Sequence, residues 1–348
     1  MPLPKVLCGV APAIFIVALA GCAAREVAMQ KPLTRIGFGS CINTQAHPML
    51  DRTLTLPFDL FILLGDNIYA DTTNPAVMAE KYRARKESTF FQALRKKAPV
   101  LATWDDHDFG GNDAGASYPM KVESQKLFCD FMDVPADSPR RKREGIYDAA
   151  LLGPPGQRVQ VILLDTRYFR SNLATGENHV VPSGGKYIPH PDPNVTMLGA
   201  VQWAWLEEQL RVPAELRIIA SSIQFLSEFS GGEAWANMPL EKQRMIELLK
   251  KSRANSVIFI SGDRHWAELS RLDRPGDYPL YDLTSSALTE EHKRGTPTPN
   301  RFRDGATYHG NNVGVISIDW QKPSPGVLLQ LFDVEGAVRI EKRIWFAP

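Results

Sequence analysis

Pro99-Val100-Leu101-Ala102-Thr103-Trp104-Asp105-Asp106-His107-Asp108 decides how the rest of the chain is read. An apolar run of strand length ends in three carboxylates and an imidazole. Carboxylates packed so closely repel one another, and burial adds to the cost. A bound cation offsets both. A solvated acidic turn would explain the cluster if it stood alone, but the pattern recurs along the chain.

Apolar runs of similar length lie at 35–39, 58–64, 159–164, 216–221 and 256–261. Bounded by Gly, Pro and Asp, they suit strands buried on both faces. Helical spacing falls between them, near 77–95, 121–132, 201–210 and 240–251. The alternation predicts α/β architecture. From 281 onward the runs 281–285, 313–320, 326–332 and 337–341 follow one another without helices. They predict an antiparallel section packed on the first sheet. The Pro-rich stretch 184–194 and the basic run Arg140-Arg141-Lys142-Arg143 read as solvated loops.

The polar residues sit where each predicted strand ends. Ser40-Cys41 follows the first. Gly65-Asp66-Asn67-Ile68-Tyr69-Ala70-Asp71 follows the second. Trp104 to Asp108, with Asn112 and Asp113 beyond, follows the third. Asp165-Thr166-Arg167 and Gly262-Asp263-Arg264-His265 follow two more. In an open α/β sheet the carboxyl ends of the strands converge on the ligand-binding crevice. The residue types imply two adjacent metal ions. Carboxylates bridge hard cations, imidazole suits borderline metals and thiolate prefers softer ones. Asp66 is the natural bridge, because Gly65 lets the backbone turn tightly beside it. Asp263 and His265, two apart, can reach one site. A metal pair about 3.5–4 Å apart would clamp the oxygens of a phosphoryl transfer.

Individual residues admit plainer readings. Cys41 could be a small buried thiol, but its place at a strand end favours a metal ligand. Tyr69 could pack beside its strand, and its spacing to Asp66 favours ligation. His107, among acidic neighbours, reads as a contact to metal or phosphate rather than a turn cap. Asp105 reads as a support for the ligands. Arg167 suits bidentate capture of phosphate, or could merely pair with Asp165.

Gly39-Ser40-Cys41, Gly65 to Tyr69, Trp104 to His107, Asp165 to Arg167 and Gly262 to His265 resemble, in order, the motifs of a known family. It is the PhoD-like alkaline phosphatase and phosphodiesterase family of the calcineurin-like metallophosphoesterases. The resemblance spans roughly residues 35–320. It implies a two-sheet sandwich flanked by helices, ferric iron and calcium as cofactors, and a phosphoester substrate. By resemblance, Cys41, Asp66, Tyr69 and His265 lie on the iron side. Asp66, Asp106, Asn112 and Asp263 would serve calcium, and other divalent metals could substitute. Many members carry a twin-Arg signal and an N-terminal β-sandwich, and the sequence departs from both patterns.

The N-terminus reads as a targeting segment. Lys5 precedes the uncharged apolar run 6–20, which ends in Leu19-Ala20-Gly21-Cys22. That tetrapeptide resembles a bacterial lipobox, and the run is short for a spanning helix. The expected division is a lipoprotein signal at 1–21, a linker from lipidated Cys22 at 22–34, and a catalytic domain at 35–348. The expected location is the cell envelope, with the lipid on Cys22 holding the membrane. Of four Cys, only Cys41 and Cys129 fall in that domain, enough for one disulfide in an oxidising compartment. Cys129, however, sits at a buried position of a helical pattern. A net charge of +1 and no basic stretch interleaved with aromatics argue against nucleic acid as a partner. The sequence thus reads as a phosphoester hydrolase with His107 and Arg167 stabilising the phosphoryl oxygens. A non-catalytic metal-binding envelope lipoprotein and a hydrolase of other esters are the alternatives.

Overall fold

Strand Leu60–Leu64 is buried at all five positions. Its side chains alternate, as a strand requires. Leu60, Ile62 and Leu64 enter a core shared with strands of a second sheet, while Phe61 and Leu63 pack with helix residues on the outside. The computed structural model describes residues 25–26, 31–176, 186–228, 231–292, 299–321 and 324–346. The apolar N-terminal run, Cys22 and His179 lie outside the described residues.

Two sheets form the molecule. The first has the order Val338–Trp345, Gly326–Asp333, Asn312–Asp319, Arg35–Gly39, Leu60–Leu64 and Val100–Thr103. The second runs Arg25–Glu26, Asp148–Leu152, Val159–Leu163, Leu216–Ala220, Val257–Ser261, Leu280–Ser285 and Ala267–Leu272. Ile36, Phe38 and Ile62 face Val161, Ile218, Ile258 and Ile260 in the apolar layer between them. Helices Pro48–Thr55, Pro75–Glu87, Thr89–Lys97 and Lys121–Phe131 cover the first sheet. Gly199–Gln209 and Pro239–Ser252 cover the second, seated by Trp203, Leu206, Met245 and Leu249. The result is the expected two-sheet sandwich flanked by helices. Among the described residues no helix is long and apolar enough to cross a membrane.

Three expectations change. The helical stretch 77–95 is two helices, broken at Ser88, whose hydroxyl caps the second by accepting from Phe91 N at 3.3 Å. The run at 281–285 leaves the antiparallel tail and pairs in parallel with Val257–Ser261, while the other tail strands extend the first sheet beside Arg35–Gly39. Arg140 is not a solvated loop residue. It is 5% exposed, donates to Ala102 O at 2.6 Å, and its guanidinium lies 5.2 Å from the Phe128 ring centre. Cys129 is buried in its helix, and both described Cys are free thiols.

The carboxyl ends of both parallel sets meet at one edge. A parallel bridge between Ser40 and Ser286 joins the end of Arg35–Gly39 to the end of Leu280–Ser285, across the gap between the sheets.

Candidate metal centre

Cys41, Asp66, Asp263 and His265 each occupy left-handed backbone, with φ of 62°, 52°, 70° and 60°. Non-glycine residues rarely sit there, and strain of this kind concentrates at functional sites. The turn before Asp66 needs Gly65 outright. At φ 110°, a Cβ there would come within 2.5 Å of Asp105 Cβ.

These turns bring the predicted ligands together. Cys41 Sγ lies 3.4 Å from Asp66 Oδ2 and 3.1 Å from Ser286 Oγ. Tyr69 OH lies 3.4 Å from Asp66 Oδ2 and 3.3 Å from His265 Nε2. Donor atoms of Cys41, Asp66 and His265 fall within 4.8 Å of one another, as do those of Asp66, Asp106 and His107, and those of Asp105, Asp106 and Asp263. Asp66 is common to the first two groups, as a bridge between the Cys41 side and the Asp106 side requires, and Asp106 is common to the last two. Asn112 is exposed and lines a pocket of about 270 Å³ with Asp113, Asp263, Arg264 and His265.

The electrostatics favour a cation. Burial, then the charges of Asp106 and Asp105, push the Asp66 carboxyl well above its ordinary range. Burial and Asp105 do the same to Asp263. Burial and Asp66 raise the Cys41 thiol. Burial, with His107 nearby, lowers His265 to about 4, so the imidazole is neutral and able to ligate. Asp66 Oδ1 and Asp105 Oδ2 are buried without a hydrogen-bond partner among the described residues. Orphaned acceptors in a dry acidic cluster are costly, and a metal ion supplies what they lack. The donor set therefore fits bound metal.

Neighbouring residues hold this arrangement. Asp108 accepts from Asp66 N at 3.2 Å, Asn67 N at 3.1 Å and Asp105 N at 2.5 Å, pinning two motif turns to each other. His107 Nδ1 meets Asp71 Oδ1 at 2.8 Å, and its ring stacks on Tyr69 with centroids 4.3 Å apart. Burial disfavours the His107 cation, but Asp106 and the bond to Asp71 outweigh it and raise the pKa.

Arg167 is placed differently from the expectation. Its side chain is fully buried and committed to two carboxylates. Nε donates to Asp105 Oδ1 at 2.7 Å, Nη1 to Glu233 Oε1 at 2.8 Å and to Ala114 O at 3.4 Å. Nη2 meets Asp105 Oδ1 and lies 2.6 Å from Glu233 Oε2. A guanidinium this buried and held between two carboxylates is not placed to meet a phosphate, so the structure corrects this assignment to a buried ion pair. Asp165 is not its side-chain partner. That carboxylate accepts from Trp104 Nε1 and Arg167 N, each at 2.9 Å. Sequence reasoning missed Glu233, Ser222, Ser286 and Asp71. Only Asp71 lay in a quoted motif. His309, by contrast, bonds Thr307 at 3.1 Å and is not among the grouped donors.

Two packed sheets between helix layers, with a cluster of candidate metal ligands where the strand ends meet, define a metallophosphatase-like fold. Residues 38–309 match the PhoD-like phosphatase family, and the chain belongs to that family. It is 25% identical over 271 residues to alkaline phosphatase D of Bacillus subtilis (strain 168), covering 66% of this chain. The chain spans 44% of that relative's length. A solved structure of PhoD superposes with a TM-score of 0.64 at 16% identity, over 91% of this chain and 72% of the other. GAP50, the anchor in the inner membrane complex of Plasmodium, superposes with a TM-score of 0.56 at 12% identity, over 91% of this chain and 90% of its own. These two likenesses concern the fold.

Proposed function

We propose that this protein is a metal-dependent phosphoester hydrolase, anchored in the cell envelope by a lipid on Cys22. The observation that carries the reading is Asp66, a buried carboxylate with one unpartnered oxygen, shared between two donor groups beside an open pocket. Cys41, Tyr69 and His265 with Asp66 would hold iron. Asp66, Asp106, Asp263 and Asn112 would hold calcium or another divalent ion. Cations there would supply Lewis acidity and activate water at neutral pH. The open pocket favours catalysis over a closed structural site.

The chain's own residues supply the rest. Asp71 occupies His107 Nδ1 and favours the charged ring, leaving Nε2 to offset charge on phosphoryl oxygen or to protonate the departing alcohol. Asp108 and Ser286 hold the ligand-bearing turns in register. The lipid anchor is supported by the order of charge, apolar run and lipobox at the N-terminus.

The test combines metal analysis of purified protein with hydrolysis of matched aryl phosphomonoester and phosphodiester substrates. Chelator-sensitive hydrolysis is expected, with visible colour from thiolate or phenolate bound to ferric iron. Metal-loaded protein that cleaves neither substrate would rule the hydrolase out. Colourless, fully active protein containing only zinc would rule out the iron assignment.

A further inference from the structure

With Arg167 committed to Asp105 and Glu233, another group must meet the negative charge that a phosphoester brings into an acidic site. Four basic side chains line the pocket beside the cluster: Lys186, Arg264, His265 and His292. Lys186 is 61% exposed and pairs with Asp113 at 2.7 Å. His265 belongs to the ligand cluster. His292 packs edge-on to Trp266, with ring centroids 5.6 Å apart.

Arg264 differs from all three. Its side chain is only 15% exposed, yet the nearest carboxylate oxygen, Asp263 Oδ2, lies 3.7 Å from Nη1, too far for a hydrogen bond. Among the described residues its guanidinium donates no hydrogen bond, whereas that of Arg167 is held by Asp105 and Glu233. Arg264 is nevertheless held. Its guanidinium carbon lies 4.6 Å from the ring centre of Trp266, which is 4% exposed and so a fixed platform. A Cβ on Gly232 would come within 2.6 Å of Arg264 Nη1, so glycine there leaves the guanidinium its room.

Backbone shape explains how three neighbours share one pocket. Along an extended strand, successive side chains point to opposite faces. Here left-handed residues flank Arg264 on both sides, at φ 70° and 60°, and Arg264 N closes a tight turn onto Gly262 O at 2.9 Å. Asp263, Arg264 and His265 therefore line the same cavity.

We propose that Arg264 binds the terminal oxygens of the substrate phosphoryl group, and thereby favours dianionic phosphomonoesters over singly charged diesters. This rests on the phosphoester-hydrolase reading above and names the substrate class of that site. At a given distance a cation attracts a charge of two about twice as strongly as a charge of one. The planar fork of arginine also matches two phosphoryl oxygens, which a lysine ammonium does not.

The experiment compares wild type, Arg264→Ala and Arg264→Lys at matched metal content. Each is assayed on matched aryl monoester and diester substrates, and calorimetry measures the binding of inorganic phosphate. For Arg264→Ala, kcat/KM on the monoester should fall about tenfold to hundredfold, as expected for losing a charge-assisted hydrogen bond. The diester should lose about threefold to tenfold, the smaller charge scaling the effect down. Phosphate should bind at least about tenfold more weakly, and Arg264→Lys should recover only part of either loss. Metal content and thermal midpoint should match wild type. Phosphate affinity within twofold of wild type overturns the proposal, and so does a loss of metal from Arg264→Ala. Equal losses on monoester and diester overturn the discrimination. If wild type itself hydrolyses neither ester, the hydrolase reading fails instead, and the phosphate calorimetry still decides whether Arg264 binds the anion.

Discussion

Replacing Arg167 with methionine or alanine should lower stability before it lowers anything else. Arg167, Asp105 and Glu233 have side-chain exposures of 0%, 1% and 2%, so removing the cation strands two buried carboxylates. Breaking a buried pair by deleting one partner costs about 3–5 kcal/mol. The low end applies here. Glu233 keeps Arg170 at 2.9 Å, and Asp105 keeps the Ser222 hydroxyl at 2.6 Å. A loss of about 3 kcal/mol, at about 2–4 °C per kcal/mol for domains somewhat smaller than this one, lowers the thermal midpoint by about 6–12 °C. Arg167→Met fills most of the volume and should show the same fall, separating lost charge from cavity formation. The assay is thermal unfolding by circular dichroism, with phosphate binding measured below the transition. Affinity for phosphate should change less than in Arg264→Ala. A midpoint within about 2 °C of wild type, joined to a hundredfold loss of kcat/KM, would refute this reasoning and restore Arg167 as the phosphate partner.

Asp66→Ala removes the carboxylate common to two donor groups, and metal content by elemental analysis should fall for both ions together. Loss of one ion with full retention of the other would mean that Asp66 is no bridge. Burial lowers the Lys242 amino group to about 8 although it donates to Ser227 O at 2.8 Å. The unfolded chain then binds more protons than the folded one between about pH 8 and 10.4, so this group makes stability rise with pH across that window. Chemical denaturation of Lys242→Met should lack that rise, and an unchanged pH slope would show that Lys242 is solvated. Cys22→Ser should release the protein from membranes while leaving hydrolysis intact. Unchanged membrane partitioning would show that the lipobox does not act.

The strand-end motifs were legible because the local signals agree: an apolar run, then Gly or Asp, then residues able to ligate a metal. All seven proposed metal-site residues fall at or around one cluster and its pocket. Allocation of strands to sheets was not legible. Strand Leu280–Ser285 pairs with Val257–Ser261, and Arg35–Gly39 with Asn312–Asp319, through contacts that no local pattern encodes. The break at Ser88 carried a capping signal that the longer helical period concealed. Arg167 was misread for a physical reason. An arginine at a strand end looks the same whether it awaits a phosphate or fills an ion pair. Its deciding partner, Glu233, lies 66 residues away in a loop without a motif.

Strain, charge and burial meet at the same four residues. A non-glycine residue in left-handed backbone costs about 1–3 kcal/mol, so Cys41, Asp66, Asp263 and His265 together approach the net stability of an ordinary domain. The preceding strands can carry that cost. Leu60–Leu64 and Val257–Ser261 are buried at every position and paired on both sides, so their ends do not yield to local preference. The turn chemistry then has a purpose that extended backbone could not serve. It gathers candidate ligands that an ordinary strand would send to alternate faces. What the sheets cannot offset is the electrostatic cost, because apolar packing strengthens the repulsion among Asp66, Asp106 and Asp263. A bound cation relieves it without protonating the carboxylates. Metal binding should therefore add to fold stability and hold the strained turns in place, in addition to enabling chemistry.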